Sequence, residues 1–261
     1  MAVYSYYSSI LPFFNNSKYY YLCRYIYLYS PTDADTWYFI PWDYDKALGA
    51  YSENRPIWQR GVSNLWGNTL VNRFLRNTDN KNELTQKIEE LKNIISQVKL
   101  DYFIELYKPI AVRFLTNEPD NSMKELDLDD INEEFDLLKG SIGLNVNEYY
   151  KSLERPMPVF LYPPNLNGNF MEFDWSQSYD FQEDPLYYHF QLSDSPLFEN
   201  ILYEEDNLLN NELIIRRLPP GHYYYRIYIR DSHGNTSDAF DIYFDDETQT
   251  YCYGVRDFYV N

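Results

Sequence analysis

The hydrophobic residues of this chain change their spacing near residue 155. Between residues 63 and 153, apolar side chains recur every three or four residues, which is the period of an amphipathic helix. After Arg155-Pro156 they alternate with polar residues, which is the period of a β-strand. The spacing therefore predicts an α+β chain in two parts, a helical subdomain within residues 1–154 and an all-β domain over residues 155–261.

The first part is predicted to contain four helices over about residues 64–153. The second of these helices follows one apolar stripe as far as Val98. The third covers residues 102–115, with Pro109 as a kink or a break. Residues 127–130 can cap the fourth. The apolar positions of the first, second and fourth helices are Leu70, Val71 and Phe74, then Leu84, Ile88, Leu91, Ile95 and Val98, then Ile131, Phe135 and Leu138.

Two β-rich runs near the N-terminus, residues 25–29 and 36–40, bracket a turn cluster of Ser, Pro and Asp. This pattern predicts an antiparallel hairpin over residues 25–40, which Pro41 ends because it cannot donate a ladder hydrogen bond. The second part contains short alternating runs separated by Pro, Gly, Asn and Asp, as expected for a β-sandwich. Its clearest strands are residues 170–175, 187–192, 213–215 and 223–229.

The composition excludes several classes of protein. With 40 acidic and 22 basic residues the net charge is −18, which would repel a phosphate backbone, so a nucleic-acid partner is not expected. An aromatic content of 19% is too high for a disordered chain. No stretch approaches the about 20 apolar residues of a membrane span. Cys23 and Cys252 lie too far apart to indicate a disulfide framework or a zinc site.

The densest candidate for chemistry follows the hairpin. Asp43 and Asp45 lie two residues apart directly after the second strand, so both carboxylates can turn toward one hard cation. An Asp-x-Asp at the end of a strand is also common in solvated turns. Both interpretations remain open from the residues alone.

A family resemblance favours the metal site. The run Trp37-Tyr38-Phe39-Ile40-Pro41-Trp42-Asp43-Tyr44-Asp45, with Leu48-Gly49 after it, resembles the signature of the CotH kinase family, the atypical kinases similar to spore coat protein H. The resemblance implies a kinase-like C-terminal lobe that transfers phosphate from ATP to Ser or Thr hydroxyls of proteins. It also implies Mg²⁺ or Mn²⁺ held by Asp43 and Asp45, and a bacterial cell-surface or spore-coat location.

The chain departs from the family pattern in two places. The family's spacing puts the catalytic-loop Asp and Asn within residues 19–25, which contain neither residue type, and Asn15 and Asn16 are the nearest polar substitutes. The family's N-terminal lobe would precede residue 1. We therefore expect a fragment or a degenerate member that is incomplete or inactive as a kinase.

The second part resembles a fibronectin type III domain. Trp175 corresponds to the core indole, and residues 218–223 to the loop that enters a long central strand with a tyrosine corner. Residues 231–235 correspond to the following hairpin turn, with Gly234 and Asn235 expected at positive φ. Such domains are usually spacers or adhesion modules. The alternative function is therefore a non-catalytic surface or coat protein that binds protein or glycan through a sandwich with exposed tyrosines such as Tyr224 and Tyr228.

The remaining polar clusters predict no further site. The acidic run over residues 127–136 lacks the alternating ligands and central Gly of a calcium loop. It predicts a capped, solvated helix face instead. His189, His222 and His233 have no Ser, Cys or carboxylate at a recognisable spacing. No hydrolase triad and no histidine metal site is expected.

Overall fold

The computed structural model describes residues 27–33, 38–40, 56–122 and 127–261. The described residues belong to two compact units. Residues 56–76 belong to the same unit as residues 149–261, and the other described residues form the first unit. The order of helices followed by a sheet-rich region confirms the predicted α+β class. The described helices are, in chain order, α1 Ser63–Trp66, α2 Thr69–Leu75, α3 Thr78–Ile94, α4 Gln97–Leu115, α5 Leu128–Leu137 and α6 Ser141–Leu153.

The predicted N-terminal hairpin is present. Strands β1 Tyr27–Tyr29 and β2 Tyr38–Ile40 pair antiparallel, with Tyr27 opposite Ile40 and Tyr29 opposite Tyr38. The Ser, Pro and Asp residues that follow β1 are typical of turns.

The stripe predicted as one helix from Leu84 to Val98 is divided between two helices. Helix α3 ends with Ile95 as its C-cap, and Ser96 is the N-cap of α4, where its side chain accepts a hydrogen bond from the Lys99 N–H. A serine that binds the backbone at a helix start favours a new helix over continuation of the old one. The prediction of a single helix was therefore wrong at this point, because the apolar spacing continues through the break.

Helix α4 begins earlier than predicted, keeps Pro109 inside it and packs on α5. Ile104 is its buried residue, and the Lys108 ammonium lies 5.6 Å from the ring centre of Phe135 on α5. The apolar residues whose spacing predicted this helix are exposed: Phe103, Leu106, Tyr107, Ile110 and Phe114.

The second unit contains a β-sandwich. One sheet has the strand order β3-β4-β7, and the other has the order β12-β8-β5-β6 with β9 attached to β8. The remaining two strands, β10 and β11, form a hairpin of their own. The strands are β3 Asn165–Asn167, β4 Phe170–Asp174, β5 Tyr187–Ser193, β6 Ile201–Leu208, β7 Glu212–Arg216, β8 Gly221–Arg230, β9 Thr236–Ser237, β10 Ile242–Asp245, β11 Thr250–Tyr253 and β12 Val255–Val260.

The sandwich core is aromatic and fully buried. Phe173 lies 5.0 Å from both Phe190 and Tyr225 between ring centres, with the rings edge-to-face. Trp175 has no exposed surface and contacts Tyr188 in the same way. Aromatic rings in such geometry add to the free energy of burial. The prediction that Trp175 is the core indole is confirmed.

Two further details agree with the fibronectin type III resemblance. The Tyr223 hydroxyl donates to the Pro219 carbonyl at 3.1 Å, which is the hydrogen bond of a tyrosine corner at the start of a long strand. Gly234 has a φ of +88°, as expected for the following turn. Asn235 was also expected at positive φ and is not, because its backbone and side chain are held by Asp231.

The segment over residues 56–76 packs on the sandwich through two tryptophans. Trp58 lies edge-on to Phe240 at 5.5 Å, and its backbone N–H bonds to the Asp238 carboxylate. Trp66 stacks on Tyr179 at 5.2 Å, and the Arg76 guanidinium lies 4.5 Å from the same Tyr179 ring. These contacts join a segment to the sandwich across more than 80 residues of sequence. The domain boundary near residue 155 stays a prediction.

Replacing Trp175 with Ala is expected to lower the free energy of unfolding by about 3–5 kcal/mol, because the indole leaves a cavity in a closely packed core. Urea denaturation followed by circular dichroism measures the change. Leu209→Ala is the matched control, since Leu209 is 72% exposed and its truncation should change stability by less than about 0.5 kcal/mol. An unchanged midpoint for Trp175→Ala would show that the indole is not central.

A fragment of residues 155–261 is expected to keep a β-rich circular dichroism spectrum, because it encloses the aromatic core. It should melt at a lower temperature than the sandwich in the intact chain, since Trp58 and Trp66 no longer cover Phe240 and Tyr179. Trp66→Ala in the intact chain should shift the melting temperature in the same direction. A fragment as stable as the intact chain would contradict the role of the two tryptophans.

Candidate functional site

The predicted metal ligands Asp43 and Asp45 lie outside the described residues, as do Asn15 and Asn16. Strand β2 ends at Ile40, so only Pro41 and Trp42 separate the hairpin from Asp43. Assignment of Asp43 and Asp45 to a metal site stays a prediction.

The acidic run on α5 is confirmed as a capped helix start. Asp127 Oδ1 accepts the Asp130 N–H at 2.8 Å, and Asp130 Oδ2 accepts the Asp127 N–H at 3.3 Å. This reciprocal capping box satisfies backbone donors at the helix N-terminus, where negative charge is also favoured by the helix dipole. The carboxylates of Asp127 and Asp130 therefore have a structural role as helix caps.

The three histidines have carboxylate partners that lie far from them in sequence. His189 Nε2 lies 2.7 Å from Glu204 Oε1, His222 Nε2 lies 3.1 Å from Asp257 Oδ2, and His233 Nδ1 lies 3.0 Å from Asp184 Oδ2. The partners are separated by 15 to 49 residues. Strand register and loop packing bring them together, so no local spacing could have indicated them.

The richest of these groups surrounds His222 on the outer face of the sheet. Tyr259 of β12 lies directly opposite His222 of β8, and Asp257 lies opposite Tyr224. The His222 and Tyr259 rings stack with centres 4.0 Å apart and planes 9° from parallel. Tyr259 is 63% exposed, so the pair presents one flat aromatic surface to solvent.

Hydrogen bonds fix the orientation of the His222 ring. Its Nε2 contacts Asp257, and its Nδ1 lies 3.1 Å from the Tyr224 hydroxyl. A neutral imidazole satisfies both contacts when Nε2 donates to the carboxylate and Nδ1 accepts from the phenol. The ring beneath Tyr259 is thereby held in place by two polar partners.

Tyr224 was expected to be exposed and is instead buried. It contacts Tyr243 at 5.0 Å between ring centres and belongs to a small apolar cluster with Phe198, Cys252 and Val255. Burial raises the pKa of the Tyr224 phenol well above its ordinary value, and the nearby Tyr243 hydroxyl adds to the effect. Tyr224 therefore stays neutral and serves as a support for His222.

Comparisons with known proteins agree with the two parts of the chain. The strand orders define the second unit as a fibronectin type III-like sandwich, and the first part of the chain matches a kinase-like family. The family model described as "CotH kinase protein" matches residues 13–148, slightly more than half of the 261 residues. The chain therefore belongs to the CotH kinase family.

Two solved structures are similar to the sandwich region in fold alone. The extracellular region of rat CD45, domains d3-d4, is 9% identical, with a TM-score of 0.30 over 41% of this chain and 50% of that chain. The fibronectin type-III domain of human fibronectin type III domain containing protein 3 is 13% identical, with a TM-score of 0.27 over 40% of this chain and 85% of that chain. At these scores the likeness itself supports no argument about function.

This chain thus spans half the length of the rat structure that it matches. Among curated proteins, none matches the chain. In the part of the chain that the structure describes, no helix combines the length and apolar character needed to cross a membrane.

Proposed function

We propose that the CotH-family part of this chain binds Mg²⁺ or Mn²⁺ together with ATP through Asp43 and Asp45, in a fold adapted to phosphorylate Ser or Thr of proteins. The observation that carries the proposal is the family match, which includes the β1–β2 hairpin and both aspartates. In phosphoryl transfer, a metal-binding aspartate follows such a hairpin in kinases. Carboxylate oxygens two residues apart suit a hard divalent cation that also binds phosphate.

Transfer itself needs more than the metal site. A bound cation would shield the phosphate charge, whereas a catalytic-loop Asp positions the acceptor hydroxyl and an Asn holds a second metal ion. The positions that correspond to this loop, residues 19–25, contain neither Asp nor Asn. We therefore propose that this chain binds metal and nucleotide weakly and transfers no phosphate at a useful rate.

The purified chain is incubated with labelled ATP, Mn²⁺ and a generic acceptor protein. We expect it to transfer no more label to the acceptor than the Asp43→Ala variant does. Mn²⁺ should bind with a millimolar dissociation constant, about 4 kcal/mol, as measured by water-proton relaxation. Asp43→Ala combined with Asp45→Ala should abolish this binding. Asp33→Ala, an exposed aspartate of the hairpin turn, is the matched control and should leave it unchanged.

Two results would contradict these proposals separately. Label transfer that depends on Asp43 would show that another residue replaces the catalytic loop. Mn²⁺ binding at the same affinity in the double variant would remove Asp43 and Asp45 from the metal site.

A second candidate function belongs to the sandwich. The stacked pair of His222 and Tyr259 is a flat, solvent-facing surface with the Asp257 carboxylate beside it. The apolar face of a sugar ring can stack on such a surface while its hydroxyls bond to the carboxylate. Because the chain carries a net charge of −18, a neutral glycan fits this surface better than an anionic one.

Tyr259→Ala is expected to weaken binding of neutral oligosaccharides by about tenfold or more, because the exposed half of the stacking surface is lost. Tyr259→Phe should retain binding, since the ring remains. Tyr251→Ala, on the separate β10–β11 hairpin, is the matched control. A glycan array followed by titration calorimetry provides the measurement. If the intact chain binds no neutral glycan, this function is ruled out.

A further inference from the structure

Each of the two tryptophans that join residues 56–76 to the sandwich has an aspartate beside it. Asp238 accepts the backbone N–H of Trp58. Asp180 lies between two aromatic residues that both contact Trp66, with ring centres 5.2 Å and 5.6 Å from the Trp66 ring. Residues 56–76 and the sandwich belong to one compact unit, so both aspartates lie at a joint within that unit.

Both aspartates have one carboxylate oxygen that is buried without a hydrogen-bond partner among the described residues. This atom is Oδ2 in Asp180 and Oδ1 in Asp238. Asp180 as a whole is 4% exposed, and its Oδ1 accepts the N–H groups of Gln182 and Asp184. A buried oxygen that has lost its hydration is far more costly in a charged group than in a neutral one. The packing at the joint therefore favours the protonated form of both side chains.

The charged groups around Asp180 oppose its ionisation. The carboxylates of Asp184, in the same loop, and Asp231, in the turn after β8, lie nearby. The imidazole of His233 contacts Asp184. Arg76, the C-cap of α2, lies over an aromatic ring of the loop and forms no ion pair with Asp180 in the part of the chain that the structure describes. Burial raises the pKa of Asp180 against the effect of its two N–H donors, and the like charges add to the rise.

The groups that face Asp238 do not cancel the cost of burying its charge. Besides the Trp58 N–H, they are the guanidinium of Arg155, which follows α6, and the phenol of Tyr228 on β8. Burial also raises the pKa of Tyr228, so this phenol is neutral. Burial outweighs the hydrogen bonds and the Arg155 charge, and raises the pKa of Asp238 to about 7. Asp238 therefore changes its charge in the neutral pH range.

We propose that the joint between residues 56–76 and the sandwich is a pH-sensitive switch, which is tight when Asp180 and Asp238 are protonated and loosens when they ionise. Docking of residues 56–76 buries both carboxyl groups, so each binds its proton more strongly in the docked state than in the undocked state. The stabilisation by protonation is fully present below the ordinary aspartate pKa of 3.8. It is lost as the pH rises through the raised pKa, which for Asp238 is about 7.

The joint links the two parts of the chain that the comparisons distinguish. Residues 56–76 lie within the span that matches the CotH kinase family, whereas Asp180 and Asp238 belong to the sandwich. Acidic pH therefore holds this segment of the family span on the sandwich, and neutral or higher pH releases it. The switch does not depend on metal binding by Asp43 and Asp45.

The test is hydrogen–deuterium exchange of the full chain at about pH 5 and about pH 8, with labelling times scaled for the intrinsic pH dependence of exchange. Mass spectrometry of peptides from residues 56–76 reports their protection. We expect at least about tenfold lower protection at the higher pH, since one unit of pKa difference changes an equilibrium tenfold. Peptides from strand β8 report the core and should keep their protection. Equal protection of residues 56–76 at both pH values would overturn the proposal without any variant.

Asp180→Asn combined with Asp238→Asn replaces both carboxyl groups by neutral side chains of similar shape. This double variant should be as protected at about pH 8 as the unsubstituted chain is at about pH 5. Asp246→Asn, an exposed aspartate between β10 and β11, is the matched control and should keep the pH dependence. Trp66→Ala should lower the protection at both pH values, because the contact itself is lost. Circular dichroism checks that each variant is folded. A pH dependence that persists in the double variant would assign the effect to another group, such as His233, and overturn the proposal.

Discussion

Strand β8 is the constraint on which the sandwich and the surface formed by His222 and Tyr259 depend. Its Tyr225, Ile227 and Ile229 are fully buried in the core, whereas the alternate positions form the outer face. The strand pairs antiparallel with β5 on one side and with β12 on the other. Because side chains alternate strictly between faces, a shift of one residue would exchange the core with the outer face. The same register sets His222 opposite Tyr259 on the outer face.

The loop between β4 and β5 combines two different kinds of contact in three consecutive residues. Tyr179 and Phe181 provide aromatic surface for Trp66, and Asp180 between them contributes a buried carboxylate near Asp184 and Asp231. One short stretch of backbone thus contacts both residues 56–76 and the turn after β8. In a loop without regular strand pairing, side-chain contacts of this kind determine the conformation.

The kinase-like part and the sandwich support different kinds of conclusion. For the first, family membership rests on residues 13–148, and metal and nucleotide binding by Asp43 and Asp45 is a proposal. For the second, the geometry carries the proposal, since His222 and Tyr259 are described at the level of side-chain contacts.

The sequence by itself determined the change from helices to strands, the hairpin before Asp43, the capping box at Asp127 and the buried indole of Trp175, because each follows from local periodicity or local hydrogen bonding. It missed the break at Ser96, where apolar spacing continues through a capped helix start. Only the tertiary structure decided which carboxylate each histidine meets, that Tyr224 is buried, and that Trp58 and Trp66 pack on the sandwich. These contacts join residues 15 to more than 100 positions apart. Strand register and loop packing create them, and neither leaves a periodic signal along the chain.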